Sequence, residues 1–511
     1  MLTDSPTPAR SRLFTSHTWL FLGFVVVLSY LTYFHNYWNP NRVFWDENYH
    51  IASAQKYLNN VYFMEQHPPL GKLLIALGEK LINPNAAHPT YDTMYVNTDY
   101  ATDFPNDFSF AGFRFFSAFL GWLTAPLVFF IFLLITRNPL HGALLSFLYI
   151  FDNALVVHIR GAMLEGPLMF FTAAMVLVYL LLLEWRTVDK RYYWGMALFG
   201  VTFGLTLMTK LFGLAMILLL PALLWKIFPD WKKIVLGTAA FVGGFLVIFV
   251  GVWQIHFALG DRINPQLPDQ GYYQASPEYK QILAQKKNGS LLSTPTMIRD
   301  SLAYVPFYNR GAPRLDLCKA DENGSPFFLW PLGARSINYR WETPNGQYYK
   351  YLYLQSNPMV WLPSFAAVLL ALALLAGSIL FDLQKPLKHP YLLTMMTGIY
   401  VSYMIAISQI DRVLYLYHYF TPLLLSMIIL GLVFMELDRF WKWRFSENGK
   451  TIGLLVFAGL IFLSFQYYWP LSYYGPLTDA QLKSRALLPV WELSCVRCQR
   501  VNSLAVPRPN N

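Results

Sequence analysis

The chain has 511 residues, of which 55% are hydrophobic and only 13% are charged. A soluble domain carries about 25% charged residues, so a soluble multi-domain protein is excluded, and repeated apolar runs long enough to cross a bilayer define a polytopic helical membrane protein. The formal net charge of +10 does not imply nucleic acid, because much of the excess Lys and Arg sits in short loops between apolar runs, where the positive-inside rule puts it.

The first apolar run, at about 18–34, follows Arg10 and Arg12, which put its N-terminus in the cytoplasm. No small-residue cleavage signal accompanies it, so it reads as a retained span. The chain then stays outside to about residue 110. Within that loop, 47–59 reads as a short amphipathic helix with Ile51, Ala54 and Leu58 on one face. A second helix opens at Pro68-Pro69, since proline suits a first turn, and carries a stripe of Leu70, Leu73, Leu74, Leu77 and Leu81. At roughly 20 Å it is too short to span and should lie in the interface.

Further spans are expected at 113–135, 140–157 and 164–183, followed by the basic loop 186–191. The apolar stretch 194–228 is split at Thr209-Lys210 into two spans, because a lone lysine at mid-membrane is expensive. Lys226, Lys232 and Lys233 mark the cytoplasmic side, and a seventh span at 234–257 leads out. The polar segment 258–357 holds too many aromatics for a solvated linker, so it should be ordered against the membrane part. Its secondary structure is not legible in its pattern. Four spans follow, at 359–380, 391–407, 414–435 and 451–467, with Lys385, Lys388, Arg439, Lys442 and Arg444 on cytoplasmic turns.

The expected count is therefore eleven, with the N-terminus in and the C-terminus out. The chain divides into a seven-span module (1–257), an outer loop domain (258–357), a four-span module (358–470) and an outer tail (471–511). This parity puts Asp46, His67, Arg160, Lys210, the large loop and Arg412 on one face. No short-period internal repeat is present.

The stretch 43–72, VFWDENYHIASAQKYLNNVYFMEQHPPLGK, concentrates the candidate chemistry. Asp46-Glu47 reads either as a helix cap with a first-turn acid or as a carboxylate that takes a proton from an acceptor hydroxyl. An acid pair just outside a span is a poor choice for mere capping. His67-Pro68-Pro69 is either a rigid turn or, with Lys72, part of a hold on an anionic headgroup; Lys72 otherwise snorkels to the interface. Arg114, Arg160, Lys210 and Arg412 stand at outer ends of spans. Singly each reads as an interfacial anchor. Together on one face, with His418 nearby, they suggest a phosphate site. A sugar linked to a lipid phosphate leaves as a phosphate anion, which needs charge stabilisation more than a proton donor.

Asp152 falls within the third span, where a carboxylate is costly unless paired, and Arg160 is its candidate partner. Glu165 reads as a helix-start acid before Pro167 or as support for the site. No metal-ligand spacing such as H-x-x-x-H appears, so a cation cluster from the protein is the simpler expectation, with no metal and no cofactor. Cys318 stands alone, and Cys495 and Cys498 form a C-x-x-C too small for a four-ligand zinc site. In an oxidising compartment that pair would close a local disulfide.

Read together, these residues resemble the protein O-mannosyltransferase family, and the match covers most of the chain. FWDENYH and EQHPPLGKLL look like that family's first-loop Asp-Glu and His-Pro-Pro-Leu motifs. FRFFSAFLG resembles its arginine-bearing second span. FDNALVVHIRGAMLEGPLMFF is similar to its DNA-L…R…LD segment, and GLTLMTKLFGL to its T-K-W-G segment. SNPMVW and DRVLYLYHYFTP look like its C-terminal four-span block.

The resemblance implies a GT-C fold and an inverting transfer of mannose from a polyprenyl phosphate to Ser or Thr hydroxyls of exported proteins. Asp46 would be the base or acceptor-positioning carboxylate, with Glu47 supporting it. Arg114, Lys210, Arg412 and His418 would lie around the donor phosphate. Glu165 stands where the family usually has Asp, and Leu211 follows Lys210 where Trp is common. The large outer loop is too short for the MIR repeats of the eukaryotic enzymes, which points to a bacterial member in the inner membrane. Two other readings remain: a related GT-C enzyme moving another sugar, such as an aminosugar, onto lipid A or another glycan, and a transporter. Against the transporter, ionisable groups gather on one face and no inverted repeat is evident.

Overall fold

The computed structural model describes residues 14–185, 187–267, 271–319, 322–381, 385–440, 443–498 and 503–504. Arg10, Arg12, Arg186, Lys442 and the side chain of Arg439, on which part of the expected orientation rests, lie outside the described residues.

The chain is mainly helical. The N-terminal part comprises α1 (Ser16–Phe34), α2 (Glu47–Leu58), α3 (Leu70–Ile82), α4 (Ala111–Thr136), α5 (Pro139–Ile150), α6 (Asn153–Ile159), α7 (Glu165–Glu184), α8 (Lys190–Thr209), α9 (Leu211–Trp225) and α10 (Trp231–Ala258). Two outer-loop helices follow, α11 (Pro277–Ala284) and α12 (Thr294–Gly311). The last four long helices are α13 (Pro358–Leu380), α14 (Pro390–Ser408), α15 (Leu416–Glu436) and α16 (Glu447–Ser472). Among the described residues, eight helices are long and apolar enough to cross a membrane, and the bent pair α5–α6 makes a ninth if it counts as one span. Helices α8 and α9, where two of the eleven expected spans fall, do not meet that test. The chain is an integral membrane protein.

Two of the apolar helices illustrate different reasons for being apolar all round. The spanning window of α15 is 83% buried, because α4, α7, α13 and α14 surround it. That of α10 is 17% buried, so its outer face turns to lipid. Helices α8 and α10 pack along each other through glycines: a side chain at Gly200 would strike the carbonyl of Phe241, and one at Gly244 that of Ala197. Small residues at such a crossing let two backbones approach inside a membrane.

The bend of 64° between α5 and α6 explains the intramembrane Asp152. Asp152 caps α6, accepting from the Leu155 amide at 2.9 Å and from Trp361 Nε1 at 2.7 Å. The carbonyl of Phe151, freed by the break, accepts from Asn357 Nδ2 at 2.7 Å. Broken helices survive at membrane depth when neighbouring side chains satisfy the freed backbone in this way. The expected Asp152–Arg160 pair is not formed. Arg160 donates to the carbonyls of Thr32, His35 and Asn36 and lies over the Tyr473 ring, fastening the end of α1.

The first outer loop departs from the expectation for α2. This helix is not amphipathic in use, since every residue from His50 to Tyr57 is buried. The segment after α3 folds over it: Gln55 Nε2 donates to the Tyr91 carbonyl at 2.7 Å, and the Tyr95 amide donates to Gln55 Oε1 at 2.8 Å. Helix α3 keeps an apolar outward edge at Leu77, Leu81 and Ile82, and turns Lys72, Ile75, Ala76 and Glu79 inward.

The large outer loop holds a small sheet, and a two-residue antiparallel pairing, Arg439–Phe440 with Trp443–Arg444, joins α15 to α16. Strands β1 (Ile337–Glu342) and β2 (Tyr349–Leu354) pair antiparallel with Ile337 opposite Leu354, and Pro476–Leu477 of the tail adds a third strand beside β2. Trp491 Nε1 donates to the Leu332 carbonyl at 2.8 Å, and the buried Arg335 and Glu492 form an ion pair, so the tail is stitched to the loop. Cys495 and Cys498 are joined by a disulfide.

Candidate active site

A cavity of about 790 Å³ opens between the first outer loop, α12 and the segment 412–418. Asp46, His67, Lys72, Glu165, Lys210, Arg412 and His418 all line it. Residues scattered over most of the sequence therefore meet at one place.

Asp46 stands at the N-terminus of α2, after a turn in which Trp45 has a φ of 49°. That left-handed geometry is uncommon for a bulky residue and clusters at functional sites. Asp46 occupies the capping position but its side chain makes no capping hydrogen bond. Instead Oδ2 accepts from the Tyr417 hydroxyl at 2.8 Å. Burial pushes the Asp46 carboxyl above its usual range, while the Tyr417 hydroxyl, His158 and Lys210 pull the other way.

Glu47 points elsewhere. It is fully buried and accepts from Arg114 Nε at 2.6 Å and Nη2 at 2.8 Å, from the Ala162 amide at 2.8 Å and from the Phe44 amide at 3.1 Å. The rest of the Arg114 guanidinium donates to the carbonyls of Trp38, Pro40 and Arg42 at 2.7 Å each. Glu47, Arg114 and Arg160 do not line the cavity. These three are expected from the sequence in catalysis or donor binding; the structure shows Glu47 and Arg114 holding the loop that carries Asp46, and Arg160 fastening the end of α1. Asp152 likewise does not line the cavity.

The cations that do reach the cavity are held differently. Lys210 leaves the end of α8 in an extended conformation, so its side chain turns inward rather than along the helix. It forms an ion pair with Glu165, whose other oxygen lies 2.7 Å from His158 Nε2. The Tyr339 hydroxyl lies 2.6 Å from His158 Nδ1. Glu165 is thus the clamp between Lys210 and His158. Arg412 donates through Nη1 to Gln66 Oε1 at 3.0 Å and Asn309 Oδ1 at 2.7 Å, and its buried Nε has no protein partner among the described residues. Lys72 is tied to Glu65 and donates to Ser53 Oγ at 3.0 Å. His67 is driven well below its ordinary value by burial and by Lys210, so it is neutral. His418 stacks on Tyr417 with ring centroids 4.6 Å apart.

Sequence reasoning passed over His50, Glu65, His158, Tyr339 and Tyr417. His50 lies one turn after Asp46 on the same face of α2, and that i, i+4 spacing was the available signal. Its Nδ1 donates to the Ala162 carbonyl at 2.8 Å, and burial pushes its pKa down to about 3, so Nε2 presents a lone pair. Nothing local marks Tyr417 or Tyr339, because their partners are more than 150 residues away.

The arrangement defines the class. The Asp46 carboxylate lines a cavity that Lys210 and Arg412 also line, on a membrane scaffold with the GT-C fold. The S. cerevisiae protein O-mannosyltransferase Pmt1-Pmt2 complex bound to the sugar donor superposes with a TM-score of 0.78 at 15% identity, over 95% of this chain and 95% of that one. The archaeal oligosaccharyltransferase AglB from Archaeoglobus fulgidus matches with a TM-score of 0.50 at 13% identity, over 97% of this chain and 62% of that one.

Residues 23–260 match the family model for dolichyl-phosphate-mannose-protein mannosyltransferase, and residues 312–491 match the C-terminal four TMM region of protein-O-mannosyltransferase. The chain belongs to the protein O-mannosyltransferase family. Protein O-mannosyl-transferase 2 of Drosophila pseudoobscura pseudoobscura is 26% identical over 339 residues, 62% of this chain and 42% of that relative. Dolichyl-phosphate-mannose--protein mannosyltransferase 5 of Candida albicans is 28% identical over 256 residues, 48% of this chain and 34% of that relative. The chain thus spans less than half the length of these relatives.

Proposed function

We propose that this chain is an inverting glycosyltransferase that moves mannose from a polyprenyl-phosphate donor to Ser or Thr hydroxyls of exported polypeptides. The observation that carries the reading is that the Asp46 carboxylate, Lys210 and Arg412 line one and the same cavity. Inversion requires a hydroxyl activated on one side of the anomeric carbon and a leaving group stabilised on the other. Asp46 accepts the hydroxyl proton, and the hydroxyl oxygen attacks the anomeric carbon. The bond from that carbon to the phosphate oxygen breaks, and the electron pair leaves with the phosphate.

The donor is a phosphodiester with one negative charge, and its product carries a second. Arg412 answers that added charge best, because its Nε is buried and unpartnered among the described residues. Lys210 is half neutralised by Glu165, and His67 and His418 line the same cavity. Lys72 also lines the cavity but is paired with Glu65. The reading extends to place and organisation. The cavity faces the exterior of a plasma membrane of bacterial type. A seven-span module at 1–257 supplies Asp46 and Lys210, and a four-span module at 358–470 supplies Arg412 and His418.

The test uses the purified full chain in lipid with polyprenyl-phosphate donors carrying labelled mannose or an aminosugar, plus Ser/Thr-containing polypeptides. The expected result is mannose on polypeptide with inverted configuration. Label that stays off polypeptide, or an aminosugar moved to a glycolipid, overturns the reading.

A further inference from the structure

Asp46 has two carboxylate oxygens, and the structure treats them differently. Oδ2 accepts the Tyr417 hydroxyl at 2.8 Å. Oδ1 receives no side-chain hydrogen bond among the described residues, and Asp46 lines the cavity. The Tyr417 ring is buried and stacks on two imidazoles, on His158 with centroids 4.7 Å apart and on His418 at 4.6 Å. Lys210 Nζ lies 5.2 Å from the same ring. A phenol ring stacked on two imidazoles has little freedom to shift, so packing fixes where its oxygen sits, and the O–H turns about the C–O bond to meet Asp46.

We infer that Tyr417 is a positioning residue for Asp46: its hydroxyl pins Oδ2 and leaves Oδ1 turned to the cavity to take the acceptor proton. The inference rests on the base role given to Asp46 above. The phenol keeps its own proton throughout, and the transferred proton ends on Oδ1. The same hydrogen bond stabilises the carboxylate against burial, because a donor aimed at an ionised group favours that form. The other titratable groups facing Asp46 are Tyr49 on its own helix, His158 of α6, Glu165 of α7, Lys210 after α8, Tyr339 of β1 and Tyr415 beside Tyr417.

Tyr417→Phe tests this cleanly. It removes the hydroxyl and keeps the ring that stacks on both imidazoles and lies beside Lys210. In the full chain, kcat should fall about tenfold, the scale of one hydrogen bond to a charged group. The KM for donor should stay within about twofold, and the acid limb of the kcat/KM–pH profile should move to higher pH, since Asp46 loses a group that favours its ionised form. An unchanged pH profile with unchanged kcat overturns the inference. So does a rise in donor KM with kcat unchanged, which would assign Tyr417 to donor binding. Asp46→Asn run in parallel separates the two claims: if it turns over normally, the base role itself fails, whereas if it is inactive and Tyr417→Phe behaves as wild type, only the role of Tyr417 fails.

Discussion

Arg114 and Arg412 carry the same side chain to opposite uses. Arg114 makes five hydrogen bonds, two of them to Glu47, and is fully buried. Arg412 reaches the cavity with Nε unpartnered among the described residues. Replacing Arg114 with Met should therefore destabilise the fold by about 3–5 kcal/mol, because Glu47 is left charged and buried. Thermal unfolding in lipid or detergent would read it, and a variant of unchanged stability with weakened donor binding would contradict the structural role. Replacing Arg412 with Gln should raise the donor KM by about tenfold to a hundredfold, the range for a buried charged hydrogen bond. An unchanged KM would make Arg412 an anchor. In the sequence the two arginines look alike, since both stand at the outer end of an apolar run. What separates them is the direction of the first turn of α2: Asp46 and Glu47 are adjacent, so they point about 100° apart on the helix. One carboxylate enters the cavity and its neighbour enters the core. No local pattern states which.

At the scale of elements, apolar runs and turn residues were readable and their environment was not. The break at Thr209-Lys210 is visible because a lysine interrupts the run, and α8 does end at Thr209. The Asp-Asn pair at 152–153 opens α6 for a similar reason: a carboxylate at that depth needs donors, and a helix start supplies them. The burial of α2 was not readable, because what covers it is an irregular segment with no period of its own. Two predictions belong here. Gly200→Leu should disrupt the α8–α10 crossing, costing about 1–3 kcal/mol or more from overpacking, and an unaltered unfolding temperature would contradict the close contact. Glu79 on α3 is pushed up to about 8 from an ordinary 4.5, chiefly by burial. A carboxyl whose folded-state pKa is raised binds its proton more tightly when folded. Its stabilising contribution is complete below about pH 4.5 and is lost as the pH rises to about 8. Glu79→Gln should flatten the stability profile across that window; equal slopes in wild type and variant would contradict it.

At the scale of the molecule, the order of spans and loops brings together groups from residue 46 to residue 418. The composition made a membrane protein plain, and the family resemblance made the GT-C scaffold plain. The small sheet of β1, β2 and Pro476–Leu477 was not foreseeable, because its strands are short and its third member comes from the tail. The orientation proposed above places the large loop outside and the start of α8 inside. Cys318 is exposed and outside the disulfide, and Trp194 is 77% exposed. In sealed cells an impermeant thiol reagent should label Cys318, and should fail to label a cysteine placed at Trp194 in a Cys318→Ser background. The reverse pattern would invert the orientation.

The central claim is that one carboxylate performs the proton transfer while separate cations hold the donor. It is tested most directly by measuring donor affinity and turnover on the same preparation of Asp46→Asn. An amide of the same shape cannot accept the proton, so turnover should fall by about a hundredfold or more, while affinity for the polyprenyl-phosphate donor stays within about threefold of wild type. Turnover near the wild-type rate, or donor affinity lost in step with turnover, would contradict it.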